Sequence, residues 1–122
     1  MAENPLVDMI GHPDTPAYEF DYDRVVREFG VKDKVVEIND YHAFHLGSKN
    51  REICEKIAKL CMKHGVFIAV NSDAHSGYEV GNVGQALAML KKMDFPEELI
   101  LNANVEHILA RLTKRHPKYR IT

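Results

Sequence analysis

Residues 66–75, VFIAVNSDAH, decide the fold. The first five are continuously apolar, which is typical of a strand buried on both faces in a parallel sheet. The next five are mostly polar, and the functional residues of parallel α/β folds gather where the strands end. The stretch therefore predicts an α/β protein with a functional site directly after this strand.

Predicted strands and helices alternate on both sides of this stretch. Strands are predicted at residues 6–10, 35–38, 66–70 and 99–101, and helices from the N-cap Asp21 to Gly30, from Ser48 or Asn50 to His64, and over residues 82–93 and 104–114. Gly30 and Gly65 stand where a glycine commonly ends a helix. Four βα units in series predict parallel strands with right-handed crossovers, in either a small open sheet or a piece of a barrel. Residues 1–122 are predicted to form a single unit with a basic tail at 115–122.

Composition and charge exclude several classes of protein. The 122 residues carry 16 basic and 18 acidic side chains, and a net charge of −2 gives no electrostatic reason for an obligate nucleic-acid partner. No apolar run reaches the roughly 18 residues that a membrane helix needs, and the N-terminus lacks the pattern of a signal peptide. Cys54 and Cys61 are too far apart along one helix for a disulfide. We therefore predict buried, reduced thiols and a cytoplasmic location.

Polar residues follow three of the predicted strands, and in a parallel sheet they meet at one edge. Residues 11–14 (GHPD) follow the first strand, residues 39–42 (NDYH) the second and residues 71–75 (NSDAH) the third. We call these three segments the rim. Asn102 follows the fourth predicted strand. The sequence thus directs imidazoles and carboxylates to a single edge of the sheet.

Asp73 and His75 are the strongest candidate metal ligands. A carboxylate and an imidazole two residues apart, just past a buried strand, can turn toward one point, and together they suit Zn²⁺, Mn²⁺ or Fe²⁺. The alternative is a turn in which Asp73 caps the next segment and His75 faces solvent. His12 is a third candidate, because Pro13 is expected to hold it in extended geometry and so fix its direction. An ordinary loop histidine is the alternative there.

His42 and His45 lie three residues apart in NDYHAFH. We interpret them either as contacts to a substrate or phosphate group or, preferably, as members of a solvated loop. The other histidines fall on predicted helices or in the tail and are typical of surface positions: His64, His107 and His116. Neither cysteine follows a strand and no G-x-S-x-G motif occurs, which argues against a nucleophilic cysteine or serine enzyme.

Several of these stretches resemble the PHP (polymerase and histidinol phosphatase) family. They are GHPD at 11–14, VEIN at 36–39, and NSDAH at 71–75 followed by VG at 80–81. The similarity covers about residues 9–113 and corresponds to the C-terminal portion of a PHP domain. Together with DFPEELILN at 94–102, it is closest to the stand-alone bacterial phosphatases of the family.

The resemblance implies a fold, a chemistry and roles for particular residues. The family has a distorted (β/α)7 barrel, of which this chain would form about half, and it binds zinc, manganese or iron ions. Its members hydrolyse phosphate esters, so the implied substrate is a phosphorylated small molecule or a nucleotide. His12, Asp73 and His75 are implied metal ligands, and Asn39 takes a place near the substrate.

The H-x-H pair that begins the family's signature does not occur in this sequence. Half of a parallel barrel exposes sheet edges, so we expect a homodimer or docking with a missing N-terminal segment. The leading hypothesis is a fragment of a metal-dependent phosphoesterase that uses metal-activated water. The alternatives are a catalytically inactive PHP remnant that serves as an oligomerising or regulatory module, and an amidohydrolase-like metal hydrolase that acts on C–N bonds.

Overall fold

Three short parallel strands form the centre of the structure, a computed structural model that describes residues 2–118. The strands are β1 (Met9–Ile10), β2 (Val35–Asn39) and β3 (Ile68–Asn71), hydrogen-bonded in the order β1-β2-β3. The register pairs Val36 with Ile68 and Asn39 with Asn71. The mixed α/β class and the parallel sheet are therefore confirmed, whereas the half-barrel stays a prediction.

Five helices accompany the strands within the described residues. They are α1 (Tyr22–Val31), α2 (Asp40–His45), α3 (Ser48–His64), α4 (Gly84–Lys92) and α5 (Val105–Arg115). The predicted N-cap of α1 is confirmed, because the Asp21 carboxylate accepts a hydrogen bond from the Arg24 amide at 3.2 Å. Gly65 ends α3 as predicted, with a positive φ of 66°. No helix in residues 2–118 is both long and apolar enough to cross a bilayer.

The core lies between the sheet and helices α1 to α4. Its largest fully buried side chains include Phe29, Ile38, Ile57, Ile68 and Leu90. The prediction for the cysteines is confirmed, since Cys54 and Cys61 are both buried and free. Burial raises the pKa of the Cys61 thiol to about 12, so this thiol is a packing residue rather than a nucleophile.

The predicted strand at residues 99–101 is wrong. Two short 3₁₀ turns, Glu97–Leu99 and Leu101–Ala103, occupy this region, and Ile100 makes only an isolated parallel bridge to Ile68. The Asn102 side chain makes the hydrogen bonds to β3 that a fourth strand would otherwise make. It accepts a hydrogen bond from the Val70 amide at 3.0 Å and donates one to the Val70 carbonyl at 2.7 Å.

Gly30 does not end α1, because the helix continues to Val31 and the left-handed residue after it is Asp33, with φ of 53°. Gly30 instead permits a close approach. A Cβ atom there would lie 3.1 Å from Val66 Cγ2 and 3.4 Å from the His64 carbonyl oxygen. The glycine therefore lets α1 pack against the end of α3 and the start of the third βα unit.

Candidate functional site

The parallel register brings two segments of the rim together. Since β2 and β3 end side by side at Asn39 and Asn71, the residues that follow both strands meet at one edge. The Asn39 side-chain amide donates a hydrogen bond to Asp73 Oδ2 at 3.2 Å, and it also lies 3.4 Å from Glu37 Oε2. Asn39 is almost fully buried, so these bonds hold it firmly in place.

Glu37 connects all three strand ends. Its Oε2 accepts a hydrogen bond from the His12 amide at 2.7 Å, and its Oε1 accepts one from the Asn71 side chain at 2.8 Å. The sequence pattern alone assigns Glu37 no role. Its position in the otherwise apolar strand VVEIN could have indicated a role, because an acidic residue in a buried strand needs hydrogen-bond partners.

His12 and His42 lie face to face at the rim. Their ring centroids are 4.3 Å apart and the ring planes differ by 5°. The prediction that His12 is extended is wrong, because its backbone φ is 30°. Hydrogen bonds at both ends of this residue hold that conformation: the His12 amide donates to Glu37, and the Thr15 hydroxyl donates to the His12 carbonyl at 3.0 Å.

The prediction of a loop around His42 and His45 is wrong, because residues 40–45 form α2. Asn39 is its N-cap and accepts a hydrogen bond from the His42 amide at 2.9 Å. This cap places His42 in the first turn, with Nε2 3.9 Å from Asp73 Oδ2. His45, one turn later, approaches the buried Asp40 carboxylate instead, at 3.7 Å. His42 thus belongs to the rim, while His45 borders it.

Asp73 and His75 point to different neighbours. Asp73 has a left-handed backbone with φ of 50°, which aspartate tolerates better than most residues, and its carboxylate faces Asn39 and His42. The His75 ring lies 4.9 Å from the Tyr41 ring, and its amide donates a hydrogen bond to Glu79 Oε2 at 2.7 Å. The two predicted ligands share the rim without facing one point.

Asp14 is a rim residue to which the sequence pattern alone assigns no role. It is only 2% exposed, and neither carboxylate oxygen has a hydrogen-bond partner. Burial raises the pKa of Asp14, while its own backbone amide and the imidazoles of His42 and His12 act in the opposite direction. A carboxylate with these surroundings is costly to bury, which marks it as a functional candidate.

The donor types of the rim suit a divalent ion, but the described residues offer an incomplete shell. Carboxylate and imidazole groups are the ligands that Zn²⁺, Mn²⁺ and Fe²⁺ share. Across residues 2–118, no group of three or more His, Cys, Asp or Glu side chains is arranged to hold a metal ion. The metal roles of His12, Asp73 and His75 therefore stay predictions.

Comparison with known proteins gives relatives that are named phosphatases. No family model matches the sequence. A protein of Caldicellulosiruptor saccharolyticus named "Probable phosphatase" is 39% identical over 107 residues, which cover 88% of this chain and 44% of that protein. A "Probable phosphatase" of Caldicellulosiruptor bescii is 39% identical over 116 residues, covering 95% of this chain and 48% of that protein.

A third relative, from Clostridium novyi and also named as a probable phosphatase, is 37% identical over 115 residues, covering 93% of this chain and 46% of its own length. The chain spans about half the length of the curated relatives it matches. Nearly the whole chain, rim included, therefore takes part in the similarity.

Proposed function

We propose that this chain supplies one half of the active site of a metal-dependent phosphoesterase of the PHP type. The observation that carries the proposal is the convergence of Asn39, His42 and Asp73 at the carboxyl ends of β2 and β3, with Glu37 tying these ends together. Relatives named as probable phosphatases, similar along nearly the whole chain, support phosphate esters as the substrate class.

His12, Asp73 and His75 would hold the metal ions together with ligands from outside this chain, because the described residues provide an incomplete shell. A bound divalent ion supplies an activated water and neutralises phosphate oxygens as charge develops. The residues of this chain fix the geometry. Glu37 sets the strand ends in register, and Asn39 orients the Asp73 carboxylate through the hydrogen bond at 3.2 Å.

The remaining polar groups of the rim would contact the substrate. His42 faces Asp73, and Asn39 lies beside both, so a phosphate group at this edge would meet an imidazole and an amide. His45 stands farther out, stacked on the Tyr41 ring at 5.5 Å, where it would reach the rest of a phosphorylated small molecule or nucleotide.

Asp73→Asn tests the metal half of this proposal. The change removes the negative charge but keeps the size, and asparagine tolerates the left-handed backbone at this position. We expect Mn²⁺ or Zn²⁺ affinity, measured by titration calorimetry, to fall by at least about 100-fold, since even groups that only orient ligands contribute 10- to 100-fold. Hydrolysis of p-nitrophenyl phosphate in the presence of Mn²⁺, measured on the homodimer or complex that completes the site, should disappear as well.

Asp94→Asn is a matched control. Asp94 has the same left-handed backbone, with φ of 56°, and lies exposed after α4, far along the chain from the rim segments. It should leave metal affinity and hydrolysis unchanged. Equal metal affinity in the wild type and Asp73→Asn would refute the assignment of Asp73.

One observation favours a second candidate, a non-catalytic module that assembles with another chain. The strand β1 is a two-residue edge strand, and its Met9 side chain is partly exposed. This candidate predicts no Mn²⁺ or Zn²⁺ uptake and no hydrolysis, even by the homodimer or complex. It also predicts a dimer in sedimentation analysis, whereas a monomer with metal-dependent hydrolysis would exclude it.

A further inference from the structure

The loop between β3 and α4, residues 72–83, carries Asp73 and His75 but takes no part in the core. None of these residues, all of them within the described part of the chain, is buried, and the Tyr78 side chain lies fully in solvent. Ala86, the third residue of α4, is the first buried residue after β3. A segment without buried contacts opens easily unless hydrogen bonds hold it.

Consecutive residues of α2, from its N-cap onward, face this loop or the first turn of α4: Asn39, Asp40, Tyr41 and His42. Asn39 and His42 approach Asp73, and the centroid of the Tyr41 ring lies 4.9 Å from that of the His75 ring. Asp40 reaches past the loop, because its Oδ2 accepts a hydrogen bond from the Ala86 amide at 2.8 Å. The start of α2 therefore contacts the loop near its beginning and the helix at its far end.

Within the described structure, α4 lacks a side-chain cap of its own. Val83 precedes the helix and offers no side-chain acceptor, and the first turn contains no acidic residue. The amide at the third position of a helix commonly donates to the N-cap side chain, and a negative charge near the N-terminus is favourable. Asp40 makes this bond from α2 instead, and it is only 1% exposed, so water does not compete for the bond. The other oxygen of Asp40 lies 3.7 Å from His45 Nε2.

We propose that Asp40 is a positioning residue: by capping α4 from the first turn of α2, it anchors the far end of the loop and so holds Asp73 and His75 at the rim. Asn39 anchors the near end through its hydrogen bond to Asp73 at 3.2 Å. The two anchors are neighbours in the sequence, so one turn of α2 fixes the distance between the two ends of the loop. The consequence for metal ions rests on the proposed function, whereas the anchoring of the loop does not.

Hydrogen–deuterium exchange, followed residue by residue by NMR on the full chain after treatment with chelator, tests the anchoring. Asp40→Ala removes the acceptor, whereas Asp40→Asn keeps an oxygen that can accept the Ala86 amide. We expect the amides of residues 72–86 to exchange at least about 10-fold faster in Asp40→Ala, because a hydrogen bond to a charged acceptor is lost. In Asp40→Asn, the exchange rates should return to within about 3-fold of the wild type.

Asp33→Asn is the control for a general loss of stability. Asp33 precedes β2, at the opposite edge of the sheet from the rim, and it contacts Arg111 at 3.0 Å and Lys114 at 3.1 Å. This variant should not change the exchange of the loop relative to that of β2 and β3. The proposal would be overturned if Asp40→Ala accelerated β2 and β3 as much as the loop, or if Asp40→Asn exchanged as fast as Asp40→Ala.

The wild type decides alone if Asp40→Ala does not fold. Its Ala86 amide, which donates to Asp40, should exchange at least about 10-fold more slowly than the amides of Gly84 and Gln85, because the first amides of a helix have no partner within the helix. An Ala86 amide that exchanges as fast as these two would contradict the anchoring.

Metal binding gives a separate readout of the positioning role. In the homodimer or complex that completes the site, Asp40→Ala should lower the Mn²⁺ affinity by about 10-fold, and Asp40→Asn should restore it. Unchanged affinity in Asp40→Ala, next to a wild type that binds Mn²⁺, would overturn the positioning role. A wild type that binds no Mn²⁺ would refute the proposed function, while the exchange measurement, made without metal, still decides whether Asp40 anchors the loop.

Discussion

The rim and the region around the end of α5 contain the same residue types but use them in different ways. Four basic residues at the end of α5 and just after it bind two aspartates, and we call this set the clamp: Asp8, Asp33, Arg111, Lys114, Arg115 and His116. Arg111 and Lys114 contact Asp33 at 3.0 and 3.1 Å, and His116 contacts Asp8 at 2.9 Å. Arg115 takes the other oxygen of Asp8.

Every carboxylate oxygen of the clamp therefore has a basic side chain as its partner, whereas Asp14 at the rim has none in hydrogen-bonding geometry. Ion pairs that are complete within the chain serve to hold α5 in place. Buried groups whose hydrogen bonds are incomplete have lone pairs and protons available for other partners. The comparison teaches that hydrogen-bond saturation separates a structural cluster from a functional one more clearly than residue type does.

The largest stability effect is expected at the rim. Asp14→Asn removes the charge of a carboxylate that is buried without a hydrogen-bond partner. We therefore expect the free energy of unfolding, measured with urea near neutral pH, to rise by about 1–3 kcal/mol. An unchanged or lower value would mean that the Asp14 carboxylate has a partner in the folded protein.

The clamp should respond in the opposite way, with a loss of stability and no effect on the rim. Asp8→Asn combined with Asp33→Asn removes the charges that Arg111 and Arg115 face. Charge-assisted hydrogen bonds are strong, but both aspartates are more than one third exposed, so we expect a loss of about 1–2 kcal/mol. The Mn²⁺ affinity should not change, and a change in it would break the separation between clamp and rim.

The sequence predicted the rim because parallel pairing brings the ends of neighbouring strands to one edge of the sheet. The apolar run at 66–70 and the strand at 35–38 both end where polar residues begin, and their parallel pairing makes Asn39 and Asp73 neighbours without further information. Glu37 and Asp14 escaped notice because their roles depend on which groups surround a buried carboxylate. That depends on three-dimensional contacts and not on periodicity.

The clamp could not be predicted from the sequence at all. Its contacts join residues 78 to 108 positions apart, and charged side chains at the end of a helix usually face solvent. The predicted tail at 115–122 illustrates this point. Arg115 ends α5 and binds Asp8, whereas residues 119–122 lie outside the described residues. The mistaken strand at 99–101 has a similar cause, because the Asn102 side chain satisfies Val70 in place of a backbone ladder.

Acid should weaken the clamp. Burial alone raises the pKa of Asp8 and of Asp33, but hydrogen bonds and charges from their basic partners outweigh it, and the net pKa of both is lowered. A carboxyl group with a lowered pKa in the folded state stabilises the fold above its unfolded pKa of about 3.9, and this stability is lost as the pH falls through the folded pKa. The melting temperature should therefore drop below about pH 4.

The control for this prediction is the Asp8→Asn, Asp33→Asn variant, which lacks the titrating groups. Its melting temperature should be lower than that of the wild type near pH 6, and the gap should close as the pH falls below about 4. A gap that stays constant down to about pH 2 would show that the clamp contributes nothing through its charges.

The smallest effect is expected within the clamp itself, between its two ion pairs to Asp33. The Lys114 side chain is 74% exposed, whereas that of Arg111 is 11% exposed and its guanidinium lies 4.6 Å from the centroid of the Phe67 ring. Exposed ion pairs contribute about 0–1 kcal/mol, and salt screens them. Lys114→Ala should therefore change the urea unfolding free energy by no more than about 0.5 kcal/mol, and even this difference should vanish in about 1 M NaCl.

Arg111→Lys keeps the charge but loses the two-nitrogen contact to Asp33 and the stacking on Phe67. Its loss of unfolding free energy should therefore be larger and should persist in salt. Equal losses for the two variants would mean that charge alone, rather than burial and stacking, holds α5 in place.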